Sequence, residues 1–308
     1  MTAWAATQRQ EPSRAKGVVS RFAPSPTGRL HLGHAYSCLL AHDYARTRGG
    51  AFLLRIEDID PGRTREAFVE AIVEDLAWLG LGWDGEVVRQ SHRLPLYAEA
   101  LERLKARGLV YPCFCTRAAI AAEIAASAAA PHPGSGSGAG GPDGPLYPGT
   151  CRGLSADERD ARLAEPHAWR LDAARAAAAA GPLYWKDGDT EVLAEPLGDV
   201  VLARKDAPVS YHLAVTLDDA AQGVTDVVRG RDLYAATDVH RLLQALLGLP
   251  TPLYHHHPLL TDGEGRRLAK RHGAPALADL RASGADPRAL VAALRRGQLP
   301  GGYSVAGG

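Results

Sequence analysis

The sequence predicts an α/β protein built on a doubly wound parallel sheet, interrupted by a smaller inserted subdomain and followed by a short helical stub. Three observations carry that reading. A strand–helix–strand unit occupies residues 17–58, strand–helix alternation resumes at about 196, and the composition between them shifts abruptly to alanine, proline and glycine. "GVVSRFA" at 17–23 reads as a short buried strand. "GHAYSCLLAHDYARTRGG" at 33–50 reads as a helix with Ala35, Cys38, Leu39 and Ala45 near one face and a glycine stop, and "AFLLRIED" at 51–58 as the returning strand. Such a unit implies a parallel pair joined by a right-handed crossover. Ligands of these sheets sit at the carboxyl ends of the strands, here Pro24–Ser25 and Glu57–Asp58, so both stretches should converge on one crevice.

Helical periodicity follows at 66–79 and 95–107. The chain then becomes alanine-rich and runs into "PHPGSGSGAGGPDGP" at 131–145, a flexible composition. From about 196 come the strand "GDVVLAR", the helix "SYHLAVTLDDAA", the strand "GVTDVVRG", the helix "TDVHRLLQALLG" and the strand "TPLYHHHPLL". The domain expectation is therefore a tail at 1–16, catalytic halves at 17–110 and 196–275, an insertion at 111–195 and a stub at 276–308.

Composition excludes several classes. At 308 residues, 46% hydrophobic and 23% charged, the chain is long and apolar enough for a full core. Lys plus Arg and Asp plus Glu are both 35, so a nucleic-acid surface must be a local patch. Residues 1–16 lack the apolar region of a signal peptide, and no uncharged apolar run of about 18 residues offers a membrane span. Four cysteines do not make a disulfide framework, so the expectation is a cytoplasmic monomer with no membrane partner.

"RFAPSPTGRLHLGHA" at 21–35 forces a tight turn into a helix whose start carries His31 and His34 about one turn apart. A helix N-terminus after such a turn is an anion site, because unpaired N–H groups and the helix dipole face the ligand. An isolated HxGH could equally be a solvated loop; the surrounding block favours the site. "CFC" at 113–115 and "YPGTC" at 147–151 form a second cluster. Cys113, Cys115 and Cys151 could share a tetrahedral metal, with Tyr147, His132 or Asp143 as the fourth ligand, or could be reduced structural thiols. Cys38 reads as core. "HHH" at 255–257 alternates faces on a strand and so cannot jointly chelate; it reads as structural, with an ATP-side role for His256 as the lesser alternative.

The block at 21–35, "RIEDID" at 55–60, "SYHLAVTLDDAAQGVTDVVRGRDL" at 210–233 and "GRRLAKRHG" at 265–273 together resemble the catalytic domain of class I glutamyl-tRNA synthetases. The last block is similar to that family's KMSKS loop in its glutamyl form, with Arg267 for the first lysine and Ala269 for the serine. The resemblance implies a Rossmann-type fold, ATP held by His31, Gly33, His34 and Lys270, Mg²⁺ with the ATP, and glutamate held by Arg21, Phe22, Ala23, Pro24, Ser25, Glu57, Tyr211 and Arg229. Chemistry agrees. Two carboxylates and one ammonium call for two guanidinium forks, Arg21 and Arg229, and one acid, Glu57, with Tyr211 adding a hydroxyl. A random set of charged residues would instead form surface ion pairs worth about 0–1 kcal/mol each.

Leu233 stands where ordinary members have histidine, Tyr147-x-x-x-Cys151 replaces their Cys-x-His, and only 33 residues follow position 275. These features resemble the truncated glutamyl-Q tRNA(Asp) synthetase branch. That branch implies one structural Zn²⁺ on Cys113, Cys115, Tyr147 and Cys151. It also implies activation of L-glutamate without tRNA and transfer to queuosine in the anticodon of tRNA(Asp). The rival readings are a short ordinary glutamyl-tRNA synthetase and an inactive RNA-binding paralogue.

Overall fold

The computed structural model describes residues 17–129, 140–141, 144–195, 198–261, 275–297 and 303–305. The loop at 265–273, with Lys270, lies outside them, as do His132 and Asp143.

Strand β1 (Val19–Phe22), helix α1 (Leu32–Arg46) and strand β2 (Ala51–Ile56) form the first crossover, with β1 and β2 parallel in the register Val19↔Ala51 to Phe22↔Leu54. Phe52, Leu54 and Ile56, which share one face of β2, are fully buried. Helix α2 (Glu66–Trp78) leads to β3 (Val88–Arg89), parallel to β2. Helix α3 (Leu94–Ala106), with Pro95 in its first turn, leads into β4 (Val110–Cys113). Next come α4 (Arg117–Ala129), the short antiparallel pair β5 (Gly140–Gly141) and β6 (Gly144–Pro145), and α5 (Ala156–Arg162), started by a Ser155–Glu158 capping box. Strand β7 (Ala168–Leu171), helix α6 (Ala173–Ala180) and the hairpin β8 (Tyr184–Asp187)–β9 (Thr190–Leu193) follow.

The remaining elements are β10 (Val201–Ala203), α7 (Tyr211–Ala221), β11 (Asp226–Gly230), α8 (Ala236–Leu247) and β12 (Leu253–His257). Strand β13 (Leu260–Thr261) pairs with β14 (Ser304–Val305), and between them lie α9 (Leu277–Ala282) and α10 (Pro287–Arg295). Leu277, Leu290, Val291 and Leu294 join the core around α1 and α2, and Arg295 grips Asp43 of α1 at 2.7 and 2.9 Å.

The parallel sheet changes direction at its centre. Beside β2 and β3, β1 starts against Thr225, which donates its N–H to Val19 O at 2.9 Å and accepts from Val19 N–H through Oγ1 at 2.8 Å. On that side β11 pairs in parallel with β12, and β12 with β8. The ladders β3-β2-β1 and β11-β12-β8-β9 thus run outward on either side of a β1–β11 junction bridged by Thr225, and the crevice opens beyond the carboxyl ends of those two strands. Arg21 and Arg229 sit there, one near the end of each strand.

The chain crosses between these parallel ladders and a separate three-stranded antiparallel sheet at places the strand count does not reveal. "GDVVLAR" is not in the parallel sheet: β10 pairs antiparallel with β7, which pairs antiparallel with β4. Conversely, the β8–β9 hairpin, inside 111–195, belongs to the parallel sheet through β12. Its two-residue turn begins at Gly188, whose φ of 58° suits glycine. Among the described residues no helix is long and apolar enough to cross a membrane.

Candidate active site

Helix α1 begins with a capping box made of histidines. His31 Nδ1 accepts from Gly33 N at 3.1 Å, and His34 Nδ1 accepts from His31 N at 3.2 Å. Accepting at Nδ1 leaves each neutral ring with its proton on Nε2, a donor suited to a phosphate oxygen. The rings stand 3.9 Å apart, and Gly33 permits the arrangement: a Cβ there would lie 2.9 Å from His31 Cε1. The glycine of the HxGH signature is thus a steric requirement of the cap.

A cavity of about 420 Å³ adjoins this cap. Its lining includes Arg21, Phe22, Ala23, Pro24, Ser25, His31, Gly33, His34, Glu57, Tyr211 and Arg229, every described residue expected to hold glutamate or ATP. Asp58, expected at the same crevice, turns away to Arg89 and Ser91.

The two arginines are held differently. Arg21 is nearly buried and pairs with Asp219 through Nε at 3.0 Å and Nη2 at 3.2 Å. Arg229, equally buried, has no carboxylate partner among the described residues. It donates Nε to His256 at 3.1 Å, Nη1 to Tyr211 Oη at 3.4 Å and His240 Nδ1 at 3.3 Å, and Nη2 to Thr237 Oγ1 at 2.7 Å and Leu233 O at 3.1 Å. Its charge is therefore uncompensated by any described carboxylate, which is costly for a buried cation.

Glu57 is the acid of the cavity. Burial pushes its carboxyl up to about 7, against the pull of Arg55 and Arg21 and with the help of Asp219 and Asp218. Arg55 lies beneath it, completely buried, 3.4 Å from Glu57 and 2.8 Å from Asp219. Burial alone would raise Asp219, but Arg21 and Arg55 outweigh it and hold that carboxylate below the ordinary range. Asp218 completes the layer by accepting from Gln90, Arg93 and Tyr97 at 2.7–2.8 Å. Residue-type spacing did not single out Arg55, Asp218 or Asp219. The signal available was an arginine inside an apolar strand and two adjacent acids inside an apolar helix.

The histidine run alternates as its strand requires, with a different member on the ligand side. His257, not His256, lines the cavity, bonded through Nε2 to Ser37 Oγ at 3.0 Å. His256 points to the opposite face, under Arg229, and His255 meets Asp226 at 3.1 Å. Cys38 is fully buried in the core.

A wider cleft of about 950 Å³ shares Ser25, Thr27, Glu57 and Tyr211 with the cavity and extends to Cys115, Tyr147, Arg117, Arg204 and Lys205. At its far side the sulfurs of Cys113, Cys115 and Cys151 lie within 4.8 Å of one another, so the cluster can hold a metal ion. Tyr147 Oη stands 3.5 Å from Cys113 Sγ and 3.4 Å from Cys115 Sγ, and Cys115 and Cys151 are 3.4 Å apart. Tetrahedral zinc with bonds of about 2.3 Å to sulfur and 2.0 Å to oxygen spaces its ligands roughly 3.5–3.8 Å apart, so the donor set fits. Burial pushes the Cys115 thiol up to about 11.

Comparison with known proteins agrees with the class this geometry defines. The family described as tRNA synthetases class I (E and Q), catalytic domain, matches residues 17–304. Within that class the chain belongs to the glutamyl-Q tRNA(Asp) synthetase family. A protein of that name from Rhodobacter capsulatus is 52% identical over 277 residues, covering 88% of this chain and 97% of the relative. Another from Symbiobacterium thermophilum is 45% identical over 289 residues, covering 89% and 84%. Among solved structures, the glutamate-tRNA synthetase of Elizabethkingia anophelis superposes with a TM-score of 0.68 at 30% identity, over 84% of this chain. The chain spans about half the length of that structure, 53%.

Proposed function

We propose that this protein activates L-glutamate with ATP in the absence of tRNA and transfers the glutamyl group to queuosine in the anticodon of tRNA(Asp). The observation that carries the reading is the single cavity holding two guanidinium groups, one acid and a histidine-capped helix N-terminus. All five N–H groups of Arg229 are met by the protein, so it takes one glutamate carboxylate by exchanging its longest contact, Nη1 to Tyr211 Oη at 3.4 Å, while Arg21 offers Nη1 to the other carboxylate with Asp219 holding its Nε and Nη2. Glu57 takes the ammonium. The α-carboxylate attacks the α-phosphorus of ATP, forming glutamyl-adenylate and releasing pyrophosphate. The attacking group is already ionised, so no general base is needed. His31 and His34 donate to phosphate oxygens, and Mg²⁺ arriving with ATP adds charge neutralisation. Catalysis is placement and electrostatics.

Lys270 is the further cation we assign to the phosphates, on the family pattern of its loop. Lys270→Ala is expected to lower pyrophosphate exchange about a hundredfold or more with glutamate binding retained, a loss of a few kcal/mol of transition-state stabilisation. Unchanged exchange would remove the lysine from the mechanism.

We assign one structural zinc to Cys113, Cys115, Tyr147 and Cys151. Elemental analysis should find one zinc per chain, and Cys151→Ser should lose it while the activating cavity stays folded, because β1, α1 and β2 make no part of the cluster. Metal-free protein purified without chelator would leave reduced thiols as the account of these residues.

Acceptor choice must come from surfaces beyond the cavity, since the adenylate does not dictate which hydroxyl attacks it. We place that surface on the 111–195 segment facing the wider cleft. Labelled glutamate should pass to tRNA(Asp) carrying queuosine and not to tRNA(Asp) without it. Labelling of tRNA(Glu) would instead favour an ordinary glutamyl-tRNA synthetase.

A further inference from the structure

The cradle of Arg229 extends one layer further than the cavity wall. His256 N and Nδ1 both meet Asp187 Oδ1, at 2.9 and 3.1 Å. A carboxylate oxygen can only accept, so Nδ1 carries the proton and Nε2 is left as a pure acceptor. That acceptor receives Arg229 Nε at 3.1 Å and faces Thr237 Oγ1 at 3.3 Å. The ring cannot turn away. Its side chain is wholly enclosed, parallel to Tyr254 at 6.0 Å and edge-on to Trp185 at 5.8 Å, with Tyr234 at 5.1 Å. His240 repeats the pattern on the other side, with Nδ1 against Arg229 Nη1 at 3.3 Å and Nε2 against His212 at 3.2 Å.

Both rings stay neutral at physiological pH. Burial and then Arg229 hold His256 down to about 4, and the same two causes, joined by His212, hold His240 well below its ordinary value.

We propose that Asp187, acting through His256, is a positioning residue for carboxylate selection: it locks the tautomer that lets Arg229 be held by neutral acceptors, leaving its charge for the ligand. The inference rests on the glutamate-activating reading and adds to it a residue from the β8–β9 hairpin, outside the cavity lining. A carboxylate in direct contact with Arg229 would orient it as well but would supply its counter-ion, and the site would lose its reason to prefer an acid over an amide. Passing the acid's influence through a neutral imidazole separates orientation from neutralisation. If the tautomer is released, Nε2–H faces Nε–H, two donors repel, and the fork shifts. A displacement of about 1 Å at a reacting group can cost about a hundredfold.

The test is glutamate-dependent ATP–pyrophosphate exchange with Asp187→Ala, Asp187→Asn and His256→Leu, alongside ¹⁵N-histidine NMR of the wild type and Asp187→Ala. Asp187→Ala and His256→Leu should raise the glutamate KM tenfold or more with the ATP KM unchanged. Asp187→Asn, whose amide oxygen still accepts from Nδ1–H, should behave as wild type. His256→Leu leaves the main-chain pairing of β8 intact and so separates the effect from misfolding of the hairpin. The NMR should show a protonated Nδ1 and an acceptor Nε2 on His256, lost in Asp187→Ala. An unchanged glutamate KM in both disruptive variants, or an Nε2–H tautomer in the wild type, overturns the proposal. Wild-type protein that exchanges pyrophosphate with no amino acid, or with a different one, overturns the glutamate reading instead, while the tautomer result still decides the cradle.

Discussion

Arg229→Ala is expected to lower glutamate-dependent pyrophosphate exchange at least about a hundredfold while leaving the protein folded. The guanidinium is buried, its donors are met only by neutral acceptors, and among the described residues no carboxylate balances it. Removing it deletes a charge-assisted pair with the ligand, worth about 1.5–3 kcal/mol by itself, and leaves the ligand carboxylate buried without a partner, which costs more. The fold should tolerate the change, because an uncompensated buried cation is a liability in the empty protein. Arg229→Lys should fail nearly as badly, since an ammonium cannot present the planar fork. Kinetics in parallel with thermal unfolding checks both halves. An active Arg229→Ala enzyme would take Arg229 out of the glutamate site.

Glu57→Gln is expected to abolish productive glutamate binding and to raise the thermal midpoint above that of the wild type at pH 8. The folded carboxyl is raised to about 7 from its ordinary 4.5, so folding disfavours its ionised form. By linkage, the stability of the wild type is fully present below about 4.5 and is lost as pH rises through about 7, where the folded protein must ionise a buried acid. Glutamine at 57 stays neutral and escapes that loss, so its advantage appears above pH 4.5 and levels off above 7. The same titration shapes activity with the opposite sense. Only ionised Glu57 can pair the ammonium, so the wild-type glutamate KM should rise as pH falls through about 7, roughly tenfold per unit once Glu57 is mostly protonated. A flat glutamate KM from pH 8 to 6, or a variant less stable than wild type at pH 8, would contradict this account of Glu57.

The sequence made the ends of β1, β2 and β11 legible because each combines an apolar strand with an abrupt polar residue: Arg21, Glu57 and Arg229. All three line one cavity, beside the histidine cap that "LHLGHA" announces. The layer beneath was harder to read. Arg55 interrupts a run of buried apolar residues, and Asp218 and Asp219 sit within a helix whose neighbours are aliphatic, so an amphipathic pattern assigns them to solvent. The burial of the two aspartates is explained by partners 121 to 198 positions away in the chain, which no local window contains. The histidine run shows a finer limit. Alternation predicts that His255 and His257 share a face, but which face meets the ligand depends on the pairing of β12 between β11 and β8.

The division of the chain between two sheets was hidden for a related reason. "YWKDGDTEVL" carries a two-residue glycine turn that marks a hairpin, and "GDVVLAR" reads as an ordinary strand, but a strand's sequence does not name its neighbour. The three strands β4, β7 and β10 meet because each turns one apolar face to α3, α6 and α7, where Leu101, Leu104, Leu171, Ala176, Leu202 and Leu213 pack together.

The central claim is that this cavity makes glutamyl-adenylate unaided by RNA. Exchange of labelled pyrophosphate into ATP by the purified wild-type chain, with no tRNA present, tests it most directly. The account predicts exchange that depends on L-glutamate and is weak with glutamine and aspartate, whose charge or length does not match the two forks and the acid. Exchange that appears only when tRNA(Glu) is added, or that glutamine supports as well as glutamate, would contradict it.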